Sequence, residues 1–508
     1  MLGRFLGRIQ LGDLVAGLSV ALVLVPQSLA YAQLAGMPAY RGLYAAALPP
    51  LAAALFASSP YLQTGPVALT ALLTFAALTN LAPPGSDEYV TLGIVLALIV
   101  GVVRVLVGLL RAGVIAYLIS QPTMLGFVSA AAILIIASQL PSALGVEAPG
   151  DGVLEDAVWA IGHPAAWEVA AIVLALVTGA IVVAGRRLHR LFPGVLVAAG
   201  IGIAYSLGAD YDGAVVGSIP TEWPVPSFSI SWGDLPELLV SGVIIALVGF
   251  VEPSSIARTY AALERRPWNA NREFVSQGVA NVVSGLSGAF PVGGSFSRSA
   301  LNYSAGARTR LSGAITGLAV LAFLPFADAL SSLPTAVLAA IVIGAAVGLV
   351  RILPLVRLWR YSRPQFVIAW VTFGLTLGLA PHIEWAVLAG IGLAVAVHLA
   401  RELSFDIEFS IEDSTLHLRP SGVLWFGSGS ILEDTVVGLL ADHPGARRLV
   451  VHLDGLGRID LSGALVLRSL LQDARRAGLE VCIEDVPPRA RRVASRILES
   501  RVDPLSGR

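Results

Sequence analysis

Eleven apolar runs of membrane-spanning length dominate this 508-residue chain, at roughly 14 to 34, 42 to 57, 89 to 110, 123 to 140, 166 to 185, 193 to 208, 235 to 252, 311 to 328, 333 to 350, 364 to 380 and 383 to 400. In hydrocarbon every backbone N–H and C=O has to be satisfied inside the protein, and runs of about 20 apolar residues meet that condition as helices. The chain therefore reads as an α-helical polytopic membrane protein. Its 13% of charged residues lie far below the roughly 25% of soluble domains. The formal net charge of -1 says nothing about partners until the charges are placed on the two sides of a bilayer, and no basic patch marks a nucleic-acid partner. Arg4 and Arg8 precede the first run without a small-residue cleavage pattern, so the first helix is expected to stay in the membrane.

Three further runs are short or broken: 66 to 80, opening at Gly65-Pro66; 273 to 290, ending before Pro291; and 294 to 306. Together these make fourteen membrane segments. With the N-terminus placed inside, sixteen arginines fall on inside loops (Arg4, Arg8, Arg111, Arg186, Arg187, Arg190, Arg258, Arg265, Arg266, Arg272, Arg308, Arg310, Arg351, Arg357, Arg360 and Arg363), and Arg41 alone falls outside. Losing or gaining one span would invert every later loop, so both ends are expected in the cytoplasm of a prokaryotic inner membrane.

The interrupted segments fall at corresponding places in the two halves, the pattern of an inverted repeat. At about 1.5 Å per residue, 66 to 80 reaches roughly 22 Å and 295 to 305 roughly 16 Å, and neither crosses a core of about 30 Å. Two half-helices of opposite direction then meet near the midplane, each offering unpaired N–H groups and a positive dipole end. An anion is the ligand such a geometry favours. The alternative is a pair of Pro/Gly-kinked spans packed on their neighbours. Arg298 lies in PVGGSFSRSALNYSAG, among glycine, serine and small apolar residues. An ionisable group at that depth costs at least ~2.5 kcal/mol and tends to line a path or meet a counter-charge.

From about Ser404 the pattern changes. FDIEFSIED and STLHLRPSGVLWF alternate like strands, RRLVVHLDGL reads as a buried strand, GALVLRSLLQDARRAG as a helix, and LEVCIED and PRARRVASRILES as a further strand and helix. The expected domains are 1–403, with segments 1–7 over about 13–208 and 8–14 over about 235–400, and a cytoplasmic α/β domain over 404–508. The single cysteine, Cys482, excludes an intrachain disulfide and a cysteine-rich metal site. The chain has no lysine, so no GxxxxGK[ST] phosphate loop can occur. No metal or organic cofactor is expected, and transport would be driven by ion gradients.

These residues resemble the sulfate permease (SulP) family, bacterial relatives of the animal anion exchangers that include pendrin and prestin. DLVAGLSVALVLVPQSLAYAQLAGMPAYRGLYAA, Asp13 to Ala47, carries the likeness, as do GFVSAAAILIIASQL from Gly126 and FPVGGSFSRSALNYSAGARTRLSG from Phe290. The C-terminal region resembles the STAS domain, including its strand-loop-helix RIDLSG. The resemblance implies a seven-plus-seven inverted repeat, shared with the uracil permease, in which a core domain moves against a gate domain. Homodimers are also implied.

Gln27 and Tyr31 follow Pro26, four apart and on one helix face; the resemblance puts the matching residues beside the anion, whereas the plainer reading is two polar groups satisfied by a neighbouring helix. The N–H groups of Val67 and Ala68, with Thr70 beyond them, are candidate donors on the third segment. On the tenth, Ser295, Phe296 and Ser297 offer donors with Arg298 behind them. Arg298 could instead be a structural charge on carbonyls. Arg104 lies about two turns from Arg111 and is expected to snorkel outward. Glu252 occupies a position where the family carries an acidic residue associated with coupling cations, so it could carry a proton or sodium; a static salt bridge with Arg298 or an interfacial location is the alternative. Asp460 and Ser462 match a loop that is phosphorylated in the antagonist proteins of the STAS group, but a helix N-cap explains them as well.

The expected function is secondary active transport of a small anion of the dicarboxylate, bicarbonate or sulfate class, coupled to protons or sodium by alternating access. Its partners would be the anion and the lipid bilayer, with a cytoplasmic partner of the STAS domain left open. An uncoupled anion channel, an exchanger, or a membrane-tethered anion sensor signalling through STAS are the alternatives.

Overall fold

The computed structural model describes residues 10–117, 120–150, 152–188, 192–209, 211–220, 223 and 235–486. They fall into two compact units, Met1–Gly392 and Leu393–Arg508.

Each of the fourteen runs holds a helix, thirteen within the first unit and the last, Ile383–Glu402, running across Gly392 into the second. The first half contains α1 (Leu11–Leu34), α2 (Tyr40–Phe56), β1 (Thr64–Gly65), α3 (Ala68–Leu78), α4 (Asp87–Leu109), α5 (Gln121–Leu144), α6 (Val153–Gly162), α7 (Val169–Leu188) and α8 (Gly194–Gly208). The second contains α9 (Leu235–Leu263), α10 (Ala270–Leu286), β2 (Gly293–Gly294), α11 (Phe296–Ser304), α12 (Leu311–Phe323), α13 (Thr335–Ala346), α14 (Ile352–Tyr361), α15 (Arg363–Gly378) and α16 (Ile383–Glu402). By length and composition, seven helical stretches among the described residues could each cross a membrane. Helices α6 and α14 lie outside the apolar runs. Exposed side chains such as Leu110, Val169 and Leu176, 69 to 76% accessible, would be an aggregation hazard in water and suit contact with lipid tails.

Chain punctuation follows local chemistry. Ser86 and Ser120 accept the N–H of Tyr89 and Thr123 and so cap α4 and α5, and Asp87 and Glu88 add charge at the favourable end of α4. The helices pack in two sets that pair opposite halves of the chain. Helices α1–α4 gather with α9–α12, while α5–α8 gather with α13 and α15. Between α4 and α10 the backbones approach so closely that a Cβ on Gly101 would lie 2.6 Å from Val282 N, and one on Gly278 2.6 Å from Val105 N. Lipid gives helices no hydrophobic reason to associate, so small residues that allow such contact carry the packing.

The second unit contains β3 (Phe405–Glu412), β4 (Thr415–Leu424), α17 (Phe426–Asp442), β5 (Arg448–His452), β6 (Leu456–Ile459), α18 (Leu461–Arg476) and β7 (Glu480–Glu484). The sheet runs β3-β4-β5-β7, with β6 on β4; β3–β4 is antiparallel and the other pairs are parallel. Leu416 and Leu418 of β4, Leu449 and Val451 of β5 and Leu467 and Leu471 of α18 share one core. Strand β6 ends in the Arg458-Ile459 of RIDLSG, as the STAS resemblance implies, whereas helix α17 was not foreseen from the sequence, and the helix expected over PRARRVASRILES lies outside the described residues.

Gly278→Leu is expected to wedge α4 from α10 at a cost of about 1–3 kcal/mol. A Tm of the purified protein equal to wild type would show that the two helices can part freely.

Candidate functional site

Antiparallel pairing of β1 with β2 sets Thr64 opposite Gly294 and Gly65 opposite Gly293. Each two-residue strand runs almost directly into a half-helix, α3 after Val67 and α11 after Ser295. The two N-terminal ends therefore start beside one strand pair. At about 1.5 Å per residue these helices are roughly 16 and 14 Å long, each about half of a bilayer core. Glycine is required at the crossing: a Cβ on Gly294 would lie 2.6 Å from the Leu62 side chain and 3.2 Å from Pro253, and Gly65 has φ +150°.

Buried side chains hold the extended backbone on both sides. Ser299 Oγ accepts Gln63 N at 2.9 Å, Gln63 O accepts Ser295 N at 3.0 Å, and Asn302 Nδ2 donates to Tyr61 O at 3.1 Å. Gln277 Nε2 donates to Thr64 Oγ1 at 2.7 Å, while Asn281 takes Val292 N at 2.9 Å and gives to Val292 O at 3.0 Å. None of these amides was singled out from the sequence. Their signal was faint but present, since Gln277 and Asn281 stand four apart on a helix in a region read as apolar.

Arg298 is 1% accessible and joins the two half-helices: Nη2 donates to Pro66 O at 2.8 Å, just ahead of α3. Its Nε and Nη1 are buried without hydrogen-bond partners among the described residues. Tyr31, 4% accessible, is close enough to act electrostatically on this guanidinium, and Gln27, 3% accessible, has an unpartnered Oε1. Both stand on α1, which packs against α3 and α11.

The remaining candidates divide. No side chain caps α3 at Val67, so the first-turn N–H groups beyond Val67 and Ala68 have no side-chain acceptor of that kind. Thr70 turns its hydroxyl back to Val67 O at 3.3 Å. Ser295 Oγ caps α11 by accepting Arg298 N at 3.4 Å and lies 3.3 Å from the hydroxyl of Ser297, which is exposed. Phe296, 45% accessible, donates its N–H to Glu252 Oε1 at 3.4 Å. Glu252 thus presents its carboxylate to the first turn of α11, and among the described residues it forms no ion pair with Arg298.

Arg104 corrects an expectation. It does not snorkel: it is fully buried, with Nε on Ala246 O at 2.9 Å, Nη1 on Val292 O at 3.0 Å and Nη2 on Ile245 O at 3.2 Å. Room for it comes from Gly249, where a Cβ would lie 2.7 Å from Nη2. Counting turns to the helix end ignored carbonyls beside the helix, which satisfy the charge at shorter reach.

In the second unit Asp460 is the N-cap of α18, accepting Gly463 N at 2.6 Å, and Ser462 is exposed on its first turn. Among the described residues one group, His452, Glu484 and Asp485, could converge on a metal ion. His452 is already engaged, with Nδ1 3.0 Å from Asp485 Oδ2 and Nε2 3.0 Å from His417 Nδ1.

The architecture is that of a polytopic membrane transporter with an appended α/β domain. Residues 11–372 match the model of the sulfate permease family and residues 406–501 that of the STAS domain. A probable sulfate transporter of Mycobacterium tuberculosis (strain CDC 1551 / Oshkosh) is 34% identical over 400 residues, 77% of this chain and 70% of that protein. The chloroplastic sulfate transporter 4.1 of Arabidopsis thaliana is 35% identical over 398 residues, 76% of this chain and 57% of that one. Of solved structures, murine Solute Carrier 26 family member A9, an anion transporter in the inward-facing state, has a TM-score of 0.88 at 20% identity, covering 98% of this chain and 88% of that one. The transmembrane domain of a cyanobacterium bicarbonate transporter, BicA, has a TM-score of 0.65 at 24% identity, covering 76% and 98%. The chain belongs to the sulfate permease family, whose members are anion transporters rather than enzymes.

Ser299→Ala would leave the buried N–H of Gln63 without its acceptor, at a cost of about 1–3 kcal/mol. The expected reading is a lowered Tm; an unaltered Tm would mean that the extended segment is held elsewhere.

Proposed function

We propose that this protein is a secondary active transporter of small anions, binding its substrate between the first turns of α3 and α11 and exposing it to each side of the membrane in turn. The observation that carries this reading is the start of two half-helices beside one strand pair, with the guanidinium of Arg298 behind them. Backbone N–H groups of Val67, Ala68 and Phe296 and the hydroxyls of Ser295 and Ser297 are the donors to the anion. Gln27 and Tyr31 line it from α1, and Thr70, its hydroxyl turned inward, shapes the wall.

Sulfate is the first substrate to test, because relatives at 34 and 35% identity are named as sulfate transporters. Bicarbonate, the substrate in the name of one structural neighbour, and dicarboxylates share the same chemistry of charge and oxygen acceptors. The arginine asymmetry favours an inner-membrane protein with both termini in the cytoplasm, and the family resemblance favours a homodimer. Residues 1–403 are the transport domain and 404–508 the STAS domain in this reading, with Asp460 structural and the exposed Ser462 the position open to modification.

Glu252 supplies the coupling. Its carboxylate sits on the N–H of Phe296, where it competes with an incoming anion for the same donor and repels it. A proton or sodium ion on Glu252 cancels that charge and frees the donor, so cation and anion bind together. This is the physical basis of symport.

Arg298→Ala is expected to lower sulfate uptake into proteoliposomes about tenfold or more, since hydrogen bonds to charged groups contribute about 1.5–3 kcal/mol. Ser297→Ala, which removes a neutral donor, should cost only severalfold. Wild-type uptake by both variants would dismiss the site.

Glu252→Gln should abolish the response of uptake to an imposed proton or sodium gradient while anion exchange persists. Retained coupling would remove this carboxylate from the role, and gradient-independent, non-saturable flux in the wild type would favour a channel.

A further inference from the structure

A cavity of about 320 Å³ opens where α2 ends and α10 and α12 begin, and none of the residues assigned above to the transported anion lines it. Three guanidiniums, Arg266, Arg272 and Arg310, line it with a single carboxylate, Glu264. That carboxylate already accepts the hydroxyl of Tyr303 at 2.9 Å. The neighbouring acid Glu273 does not line the cavity, and one of its oxygens is committed elsewhere. It is fully buried, and its Oε2 is taken by Ser58 N at 3.1 Å, Ser59 N at 2.8 Å and Trp268 Nε1 at 3.2 Å.

Two of the arginines have a visible structural duty at the C-terminal end of α2. Arg272 Nε donates to Phe56 O at 2.9 Å, and Arg310 Nη1 to Leu55 O at 3.2 Å and Ala57 O at 3.3 Å. Helix C-termini favour cations, but one helix end does not require three. Among the described residues the terminal nitrogens of Arg272 carry no hydrogen bond, and Arg266 has none from its side chain. Burial, and secondarily the like charge of Arg272, hold the Arg310 guanidinium below its ordinary value, which marks the two cations as close neighbours. Tyr260 and Trp268 supply a flat apolar wall.

We propose that this cavity is an accessory binding site for a phosphate group carried on a small organic head, separate from the transported anion. A tetrahedral phosphate oxyanion, a monoanion as a phosphodiester or a dianion as a phosphomonoester, matches the net positive lining and the forked donors of arginine. The volume leaves room beside the phosphate for a group such as glycerol against Tyr260 and Trp268. Two sources share this chemistry, a free phosphorylated solute and the headgroup of an anionic phospholipid.

The test uses the purified full-length protein and three forms: wild type, Arg266→Gln and Arg298→Ala. Arg266 is exposed, so its replacement leaves the fold and basal uptake intact. Titration with sn-glycerol 3-phosphate at constant ionic strength is expected to give a Kd raised about tenfold by Arg266→Gln and unchanged by Arg298→Ala. If free glycerol phosphate does not bind, but phosphatidylglycerol in phosphatidylcholine nanodiscs raises the Tm of wild type and not of Arg266→Gln, the headgroup is the source and the site stands. Equal responses of wild type and Arg266→Gln to both probes would overturn it. So would loss of glycerol phosphate binding in Arg298→Ala alone, which would put the phosphate in the transport site.

Discussion

A helix that stops halfway through a membrane leaves backbone donors and acceptors where no water can satisfy them, and each orphan costs several kcal/mol. The fold meets this constraint twice at one place. The strand formed by Thr64–Gly65 serves as partner to Gly293–Gly294, Gln63 bonds both Ser295 and Ser299, and Asn281 takes both backbone groups of Val292. Lateral bonds thus account for the extended segments; the first turn of α3 has no side-chain cap, while in α11 Ser295 Oγ takes Arg298 N and Glu252 takes Phe296 N. A polar scaffold built from amides rather than charges holds the extended segments ahead of both half-helices.

The same constraint explains why sequentially distant helices pack together. Each half contributes one broken segment, so the strand pair can close only if α1–α4 and α9–α12 share a body. The glycines between α4 and α10 and at the strand crossing are the local means: a Cβ would intrude below 3 Å on backbone at Gly101 and Gly278 and on the Leu62 side chain at Gly294.

Much of this was legible in the sequence because proline and glycine act locally. Gly65-Pro66 and Pro291 mark where α3 and α11 must begin, and one arginine among serines marks the chemistry between them. The supporting amides were not legible, because Gln277, Asn281 and Asn302 matter through partners more than 200 residues away or through the loop they clamp, and apolar periodicity carries no such information. Helix α17 escaped for a different reason. It opens with the glycine-rich FGSGS, a poor helix former, and depends on Ser428, whose Oγ takes Trp425 N at 2.9 Å.

Arg104 and Arg298 carry the same group at similar burial, yet the structure uses them in opposite ways. The three donor nitrogens of Arg104 meet carbonyls of α9 and of the segment before β2, so its charge is spent in tying those elements together. Among the described residues Arg298 has one such bond, to Pro66 O, and keeps Nε and Nη1 without partners at 1% accessibility. A buried, half-satisfied guanidinium is unfavourable in a resting protein, which is what supports the proposed anion at Arg298. Sequence position could not separate the two arginines. The difference lies in what surrounds them, three backbone carbonyls in one case and the first turns of two half-helices in the other.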